Sequence, residues 1–435
     1  MIKIDMVKSL NLDKEIKAEL DCEKRVFVIY KNKNYIYFDV AKRLSLEGMK
    51  LLDSEGKKIT IHDLELKYED NEKIIYNIEN IYVGTYIEEE LDKVKEVSVK
   101  IFLKSNRTFV NKNISFTLED GINIYFNKSQ IRISNFLGKE SDINLILLRV
   151  MEFFSIILGE FPIIECFKFK LEDKSIITKY VKITGYTMTA IDFTNTAKAL
   201  ISLDDIKEEK IKDMYSKYYE LICEDDIQLR HFFTSQSNSS LYSDYRLTYL
   251  LQGLEGFANL NFSDKITVFL NKRLENAKSK MKNNKSKIED DELEMAMCDI
   301  YGLIENKGYS NKLKKRIKGM FKSVQKKHDF NAILDFLLDE DEFISNLFSS
   351  ECNITKENER HINKDELISL SLNERNRISH ALKKCGNERY FTLNDRIFYL
   401  KKYSVVFRYL VLKVIGATFE QEILDNITNE YNKNT

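Results

Sequence analysis

Arg375, Asn376 and His380 are the residues of this chain whose types and spacing most directly suggest chemistry. They stand in the run Asn373-Glu374-Arg375-Asn376-Arg377-Ile378-Ser379-His380. A guanidinium grips phosphate through bidentate, charge-assisted contacts. An imidazole moves protons near neutral pH. In a helix Asn376 lies i,i+4 from His380 and shares its face. Arg375 is about 140° further round, but its side chain is long enough to swing back. A phosphate grip beside a proton-transfer group is what cleavage of an RNA strand through its ribose 2′-hydroxyl requires. The spacing alone is a loose pattern, equally compatible with an ordinary solvated helix face, so the surrounding sequence has to decide.

The element that must carry these residues lies in the second half of the chain, where the apolar period is helical. Leu247, Leu250, Leu251, Leu254, Phe257 and Leu260 form one stripe. Ile397, Leu400, Phe407, Leu410, Val411 and Val414 form another, in a helix expected over 393–417. Both stripes read as helix-packing core. The helical pattern begins at Ser202-Leu203-Asp204-Asp205, which resembles a helix start.

The first two hundred residues read instead as strands. Residues 26–30 and 34–38 flank a Lys-Asn-Lys turn and suggest a hairpin. Residues 97–103 alternate, and 115–118 are joined to 122–126 by Glu119-Asp120-Gly121. Residues 130–133 suggest another strand, and 167–171 and 180–184 two more, with a helix at 143–158 ended by Gly159. The expected fold class is α+β, a mostly antiparallel β domain over 1–204 followed by an all-α helical bundle over 205–435.

Composition sets bounds on function. The chain has 435 residues, 43% of them hydrophobic and 31% charged, with a net charge of −1. That length and apolar content support two or three domains with real cores. A balanced net charge means that any nucleic-acid site must be a local patch. The six cysteines show no Cys-x-x-Cys and no paired Cys/His spacing. They read as reduced, mostly buried thiols of a cytoplasmic protein, and they argue against zinc. No signal-peptide core stands at the N-terminus. The longest apolar stretch, 143–164, holds Asn144, Arg149, Glu152 and Glu160 and does not read as a membrane span. Gly302, Gly308 and Gly319 form no phosphate-binding loop, and no cofactor or metal is expected.

Two charge blocks stand out. Residues 307–327 contain nine basic residues and no acid, among them Lys312, Lys314, Lys315, Arg316 and Lys318. The run is either one solvated face of an amphipathic helix or a track for an RNA backbone, to which Arg377 would add. An acidic block over 335–342 follows and is a candidate to pair with it.

With these residues in place, the C-terminal half resembles the HEPN superfamily of ribonucleases. Its Arg-x4-6-His motif matches Arg375 to His380, and a polar residue directly after the Arg, here Asn376, is a frequent choice in that family. The helix over 393–417 is also similar to the last long helix of that family. Three features together resemble the ApeA-like bacterial group, which joins a β-rich N-terminal domain to a HEPN domain: the helix containing Tyr245 to Phe257, the helix from Asn311, and the Arg-Asn-x3-His motif itself. The resemblance covers residues 205–420, and the N-terminal match, around 151–162, is weaker. It implies metal-independent endoribonuclease activity in anti-phage defence by abortive infection, on RNA such as tRNA and under a phage-derived trigger. It also implies a site shared across a two-fold axis in a homodimer or higher even oligomer. Arg375 and His380 would be catalytic, Asn376 would orient the phosphate or the imidazole, and Glu255 would orient Arg375 or His380. Two alternatives stay open: a non-catalytic module that dimerises or binds RNA, and a scaffold whose β domain binds a phage protein or a nucleotide.

Overall fold

Among the described residues every strand pairing is antiparallel, and the pairing follows from alternation in the sequence. Residues 114–117 read buried–exposed–buried–exposed, and 26–30 alternate likewise, which is what one packed and one solvated sheet face require. The computed structural model describes residues 3–4, 7–9, 14–16, 18–21, 26–30, 49–52, 56–69, 72–87, 90–102, 113–127, 129–181, 199–203, 206–224, 226–237, 243–283, 328–349, 362–376 and 391–433.

The strands are β1 (Lys3–Ile4), β2 (Val7–Ser9), β3 (Lys14–Ile16), β4 (Ala18–Asp21), β5 (Val26–Tyr30), β6 (Met49–Leu52) and β7 (Lys58–Glu69). They continue with β8 (Lys73–Val83), β9 (Val94–Phe102), β10 (Ile114–Thr117), β11 (Asn123–Asn127), β12 (Gln130–Gly138), β13 (Ile163–Leu171) and β14 (Ile176–Val181). One sheet runs β10-β11-β12-β9-β13-β14-β8-β7-β6-β2-β3 and branches at β8. One edge of β8 is shared: β5 takes residues 73–77 and β14 takes residues 80–83, while β7 holds the other edge.

Helix α1 (Glu140–Leu158) interrupts the strands. Glu140 and Asp142 stand in its first turn, where the helix dipole favours negative charge. Asp142 accepts a hydrogen bond from the Lys139 N–H at 3.2 Å. Gly159, at φ 81°, ends the helix in the left-handed conformation that a side chain disfavours. The helix packs on β12 and β9, with Phe154 stacked on Phe126 of β11. Glu140 is buried, yet it is paired: Lys179 donates to it at 2.5 Å and the Tyr82 hydroxyl at 3.3 Å.

The sequence pattern and the structure differ at Ser202. The helix there, α2, spans Glu208–Glu224. Leu200, Ile201 and Leu203 are buried, and the Leu200 N–H donates to the Ile157 carbonyl. Residues 199–203 therefore serve the core as irregular chain rather than as the first turn of a helix. Tyr215 and Tyr218 of α2 pack against Phe153 of α1, and the Tyr218 hydroxyl donates to Glu152. The chain accordingly divides into two compact units. The first is Met1–Cys223 with Ser237–Ser239 and Val411–Phe419, and the second is Glu224–Gln236, Ser240–Leu410 and Glu420–Thr435.

The second unit is helical, so the described chain is α+β, an antiparallel β region followed by helices. The described helices after α2 are α3 (Asp226–Ser237), α4 (Ser243–Asn283), α5 (Phe330–Glu340), α6 (Glu342–Phe348), α7 (Lys364–Asn376), α8 (Leu393–Val414) and α9 (Gln421–Lys433). On α4 the residues Leu247, Leu250, Leu251, Leu254 and Phe257 are buried. Leu260, expected in the same stripe, is 56% exposed, because it falls about 220° round the helix from Leu247. Residues 402–412 of α8 are buried on every face, and they include Lys402 and Arg408. The Lys402 ammonium donates to the Leu347 carbonyl at 2.6 Å between the rings of Phe348 and Phe398. Burial pulls the Arg408 guanidinium down to about 10. Among the described residues, no helix is long and apolar enough to cross a membrane.

Candidate functional site

The C-terminal turn of α7 carries the first residues of the motif. Leu367, Ile368, Leu370 and Ser371 are the buried face of this helix. The Ser371 hydroxyl lies 2.6 Å from the buried hydroxyl of Tyr403 on α8. Glu374 stands seven residues after Leu367, on nearly the same helix face, and is also fully buried.

Arg375 turns toward α4. Its Nε and Nη2 lie 2.7 and 2.6 Å from a single oxygen, Oε2 of Glu255. Its Nη1 donates to Oδ1 of Asn376 at 2.7 Å. The Glu255 side chain is 9% exposed and that of Arg375 29%, so the carboxylate is sheltered and the guanidinium keeps an open side. A guanidinium has five N–H donors. Among the described residues these contacts occupy three of them and leave one N–H on each terminal nitrogen to meet a bound anion. The pair is short and charge-assisted, and it fixes the plane of the guanidinium.

Glu374 holds the same turn from the other side. Its Oε1 accepts from Nε of Arg396 on α8 at 3.0 Å, and its backbone carbonyl accepts from the Thr248 hydroxyl of α4 at 2.9 Å. Arg396 is placed by the start of α8, a capping box. Thr392 N–H donates to Asp395 Oδ2 at 2.8 Å, and Asp395 N–H donates to Thr392 Oγ1 at 3.2 Å. The turn is thus held to both α4 and α8.

Of the residues expected in the site, the structure brings Glu255, Arg375 and Asn376 together. His380 and Arg377 lie outside the described residues, as does the basic run with Lys312, Lys314, Lys315, Arg316 and Lys318. So do Gly302, Gly308 and Gly319 and the strand expected at 34–38. The acidic block has other partners among the described residues. Asp335 and Asp339 pair with Arg273 of α4 and with Lys364 of α7. Of the described cysteines, Cys166 is half-buried, with burial pushing its thiol up, and Cys223 is exposed. Among the described residues no group of three or more His, Cys, Asp or Glu side chains could hold a metal ion.

Sequence reasoning did not find Arg396, Glu374 or Thr248. Glu374 did leave a signal, because a carboxylate on the apolar face of α7 cannot stay charged without a cation nearby. Arg396 left none: its partner is 22 residues away and follows from tertiary packing alone.

No family model, no curated protein and no solved structure matches this chain.

Proposed function

We propose that this protein is a metal-independent endoribonuclease of the HEPN type, serving anti-phage abortive infection in the cytoplasm. The observation that carries the reading is Arg375 itself, a half-buried guanidinium whose orientation is set by Glu255 and Asn376 and which keeps two N–H donors for an anion. A solvated helix face would leave such a residue loose.

In the proposed reaction the ribose 2′-hydroxyl attacks the adjacent phosphorus and the bond to the leaving 5′-oxygen breaks. The products are a 2′,3′-cyclic phosphate and a 5′-hydroxyl end. Arg375 stabilises the charge that grows on the phosphorane oxygens. His380 takes the 2′-hydroxyl proton or donates one to the leaving oxygen. Asn376 fixes the rotamer of Arg375, and Glu255 holds the guanidinium plane without touching substrate. A second copy of the chain, related by a two-fold axis, supplies the second proton-transfer group.

The test is to sequence RNA ends in cells after induced expression of the natural chain and of His380→Ala. New 5′-hydroxyl ends that appear with the natural chain and disappear with His380→Ala support the reading. Identical end profiles from the two chains overturn it and leave a non-catalytic binding module.

A further inference from the structure

We infer that the solvent face of the sheet formed by β11, β12, β9 and β13 is a binding platform for single-stranded RNA. The register places Tyr125, Arg132, Ser98 and Lys168 side by side across these four strands. Cross-strand neighbours share a face. The next row brings Gln130, Lys100 and Cys166 together. The opposite face is the core: Val97, Val99, Ile131, Ile133 and Phe169 are fully buried there, with α1 above β12 and β9. The outward residues therefore have solvent as their environment, and Arg132, Lys100 and Lys168 are exposed.

Three observations point to a nucleic-acid strand. The first is charge: Lys100, Arg132, Lys168 and Lys170 outnumber the carboxylates of the same face, Glu165, which pairs with Lys100, and Glu96. The second is stacking chemistry. The Arg132 guanidinium lies over the Tyr125 ring, 5.1 Å from its centroid, and Asn127 holds the Tyr125 hydroxyl at 2.9 Å. Guanidinium planes and aromatic rings are the surfaces on which unpaired bases stack. The third is shape. An open cleft of about 200 Å³ lies between Ser98, Lys100, Ser129, Gln130, Cys166 and Lys168, offering ammonium, hydroxyl and amide groups to a phosphate and a sugar edge. Four strands at about 4.8 Å spacing give a platform about 14 Å wide, enough for two or three bases.

The choice of RNA among polyanions rests on the proposed activity; the platform does not. Binding is therefore measured without cleavage, on the full-length Arg375→Ala chain, by fluorescence anisotropy of a labelled oligouridylate. Neutralising two cations with Lys168→Gln and Arg132→Gln should weaken binding at least tenfold. It should also flatten the slope of log affinity against log salt by about 1.4, at about 0.7 per phosphate contact. Tyr125→Ala should weaken binding roughly fivefold or more with the slope unchanged, and Tyr125→Phe should restore it. Circular dichroism confirms that each variant is folded. Unchanged affinity and slope in the doubly neutralised chain overturn the proposal. So does duplex RNA, deoxyoligonucleotide or inorganic phosphate competing as well as the single strand. Platform-dependent RNA binding together with no cleavage by the natural chain sinks the ribonuclease reading alone, whereas cleavage by the natural chain with binding indifferent to these variants sinks the platform alone.

Discussion

Replacing Glu255 by Gln removes one charge from the ion pair that sets Arg375 and leaves the shape of the side chain intact. Both the Nε and Nη2 contacts end on one carboxylate oxygen, at 2.7 and 2.6 Å. A hydrogen bond to a charged group contributes about 1.5–3 kcal/mol. Breaking a fully buried ion pair costs about 3–5 kcal/mol. Arg375 is 29% exposed, so water replaces part of what is lost and the lower range applies. Glu255→Gln should therefore destabilise the chain by about 2 kcal/mol, a fall in Tm of about 4–8 °C for a unit of this size. The assay is thermal unfolding of Glu255→Gln, Arg375→Gln and the double variant. The double variant should cost clearly less than the sum of the two, with a coupling of at least about 1 kcal/mol. In RNA cleavage Glu255→Gln should lower kcat by about a hundredfold while KM changes little, since a small displacement of a positioning group acts on the transition state. Additive effects on stability, or full activity without the Glu255 charge, would refute the reasoning that this pair aims Arg375.

Light scattering should find a symmetric dimer at micromolar concentration, and a fully active monomer would contradict the paired site. Reversing Lys314, Lys315 and Arg316 to Glu should weaken RNA binding and reduce its salt dependence, because each lost phosphate contact releases fewer counterions; an unchanged salt slope would make the run a solvated face. His231 is pushed below the usual histidine range by burial beside α4, and its Nδ1 has no hydrogen-bond partner among the described residues. The unfolded chain then binds the extra proton more readily, so stability should be complete above about pH 6.5 and decline as the pH falls below it. A stability profile in that window identical for His231→Gln and the natural chain would remove His231 as the cause.

The strands were legible because half-buried antiparallel strands write their burial into alternation. Residues 115–118 were found within one residue of β10, and 97–103 within one residue of the end of β9 and three of its start. Gly159 was legible for a different reason: a left-handed residue at a helix end favours glycine. Ser202 misled because an acidic, hydroxyl-led tetrapeptide looks like a helix start, whereas the neighbouring apolar residues pack as irregular chain. Leu260 misled because a spacing of three residues was extended past the point where it leaves the stripe. The link from Glu255 to Arg375 spans 120 residues and was reachable only through a family resemblance. Arg396 was not reachable at all, since its contact with Glu374 depends on how α7 and α8 cross.

Metal-independent catalysis by Arg375 and His380 is decided by RNA cleavage with purified protein in excess EDTA, with the ends identified chemically, for the natural chain and for Arg375→Ala and His380→Ala. The natural chain should cleave undiminished, leaving 2′,3′-cyclic phosphate and 5′-hydroxyl ends. Cleavage should be lost in both variants without loss of fold, with a smaller loss in Asn376→Ala. Cleavage that vanishes with EDTA, or that leaves 3′-hydroxyl ends, would mean that a metal-activated water is the nucleophile and would contradict the roles assigned to Arg375 and His380.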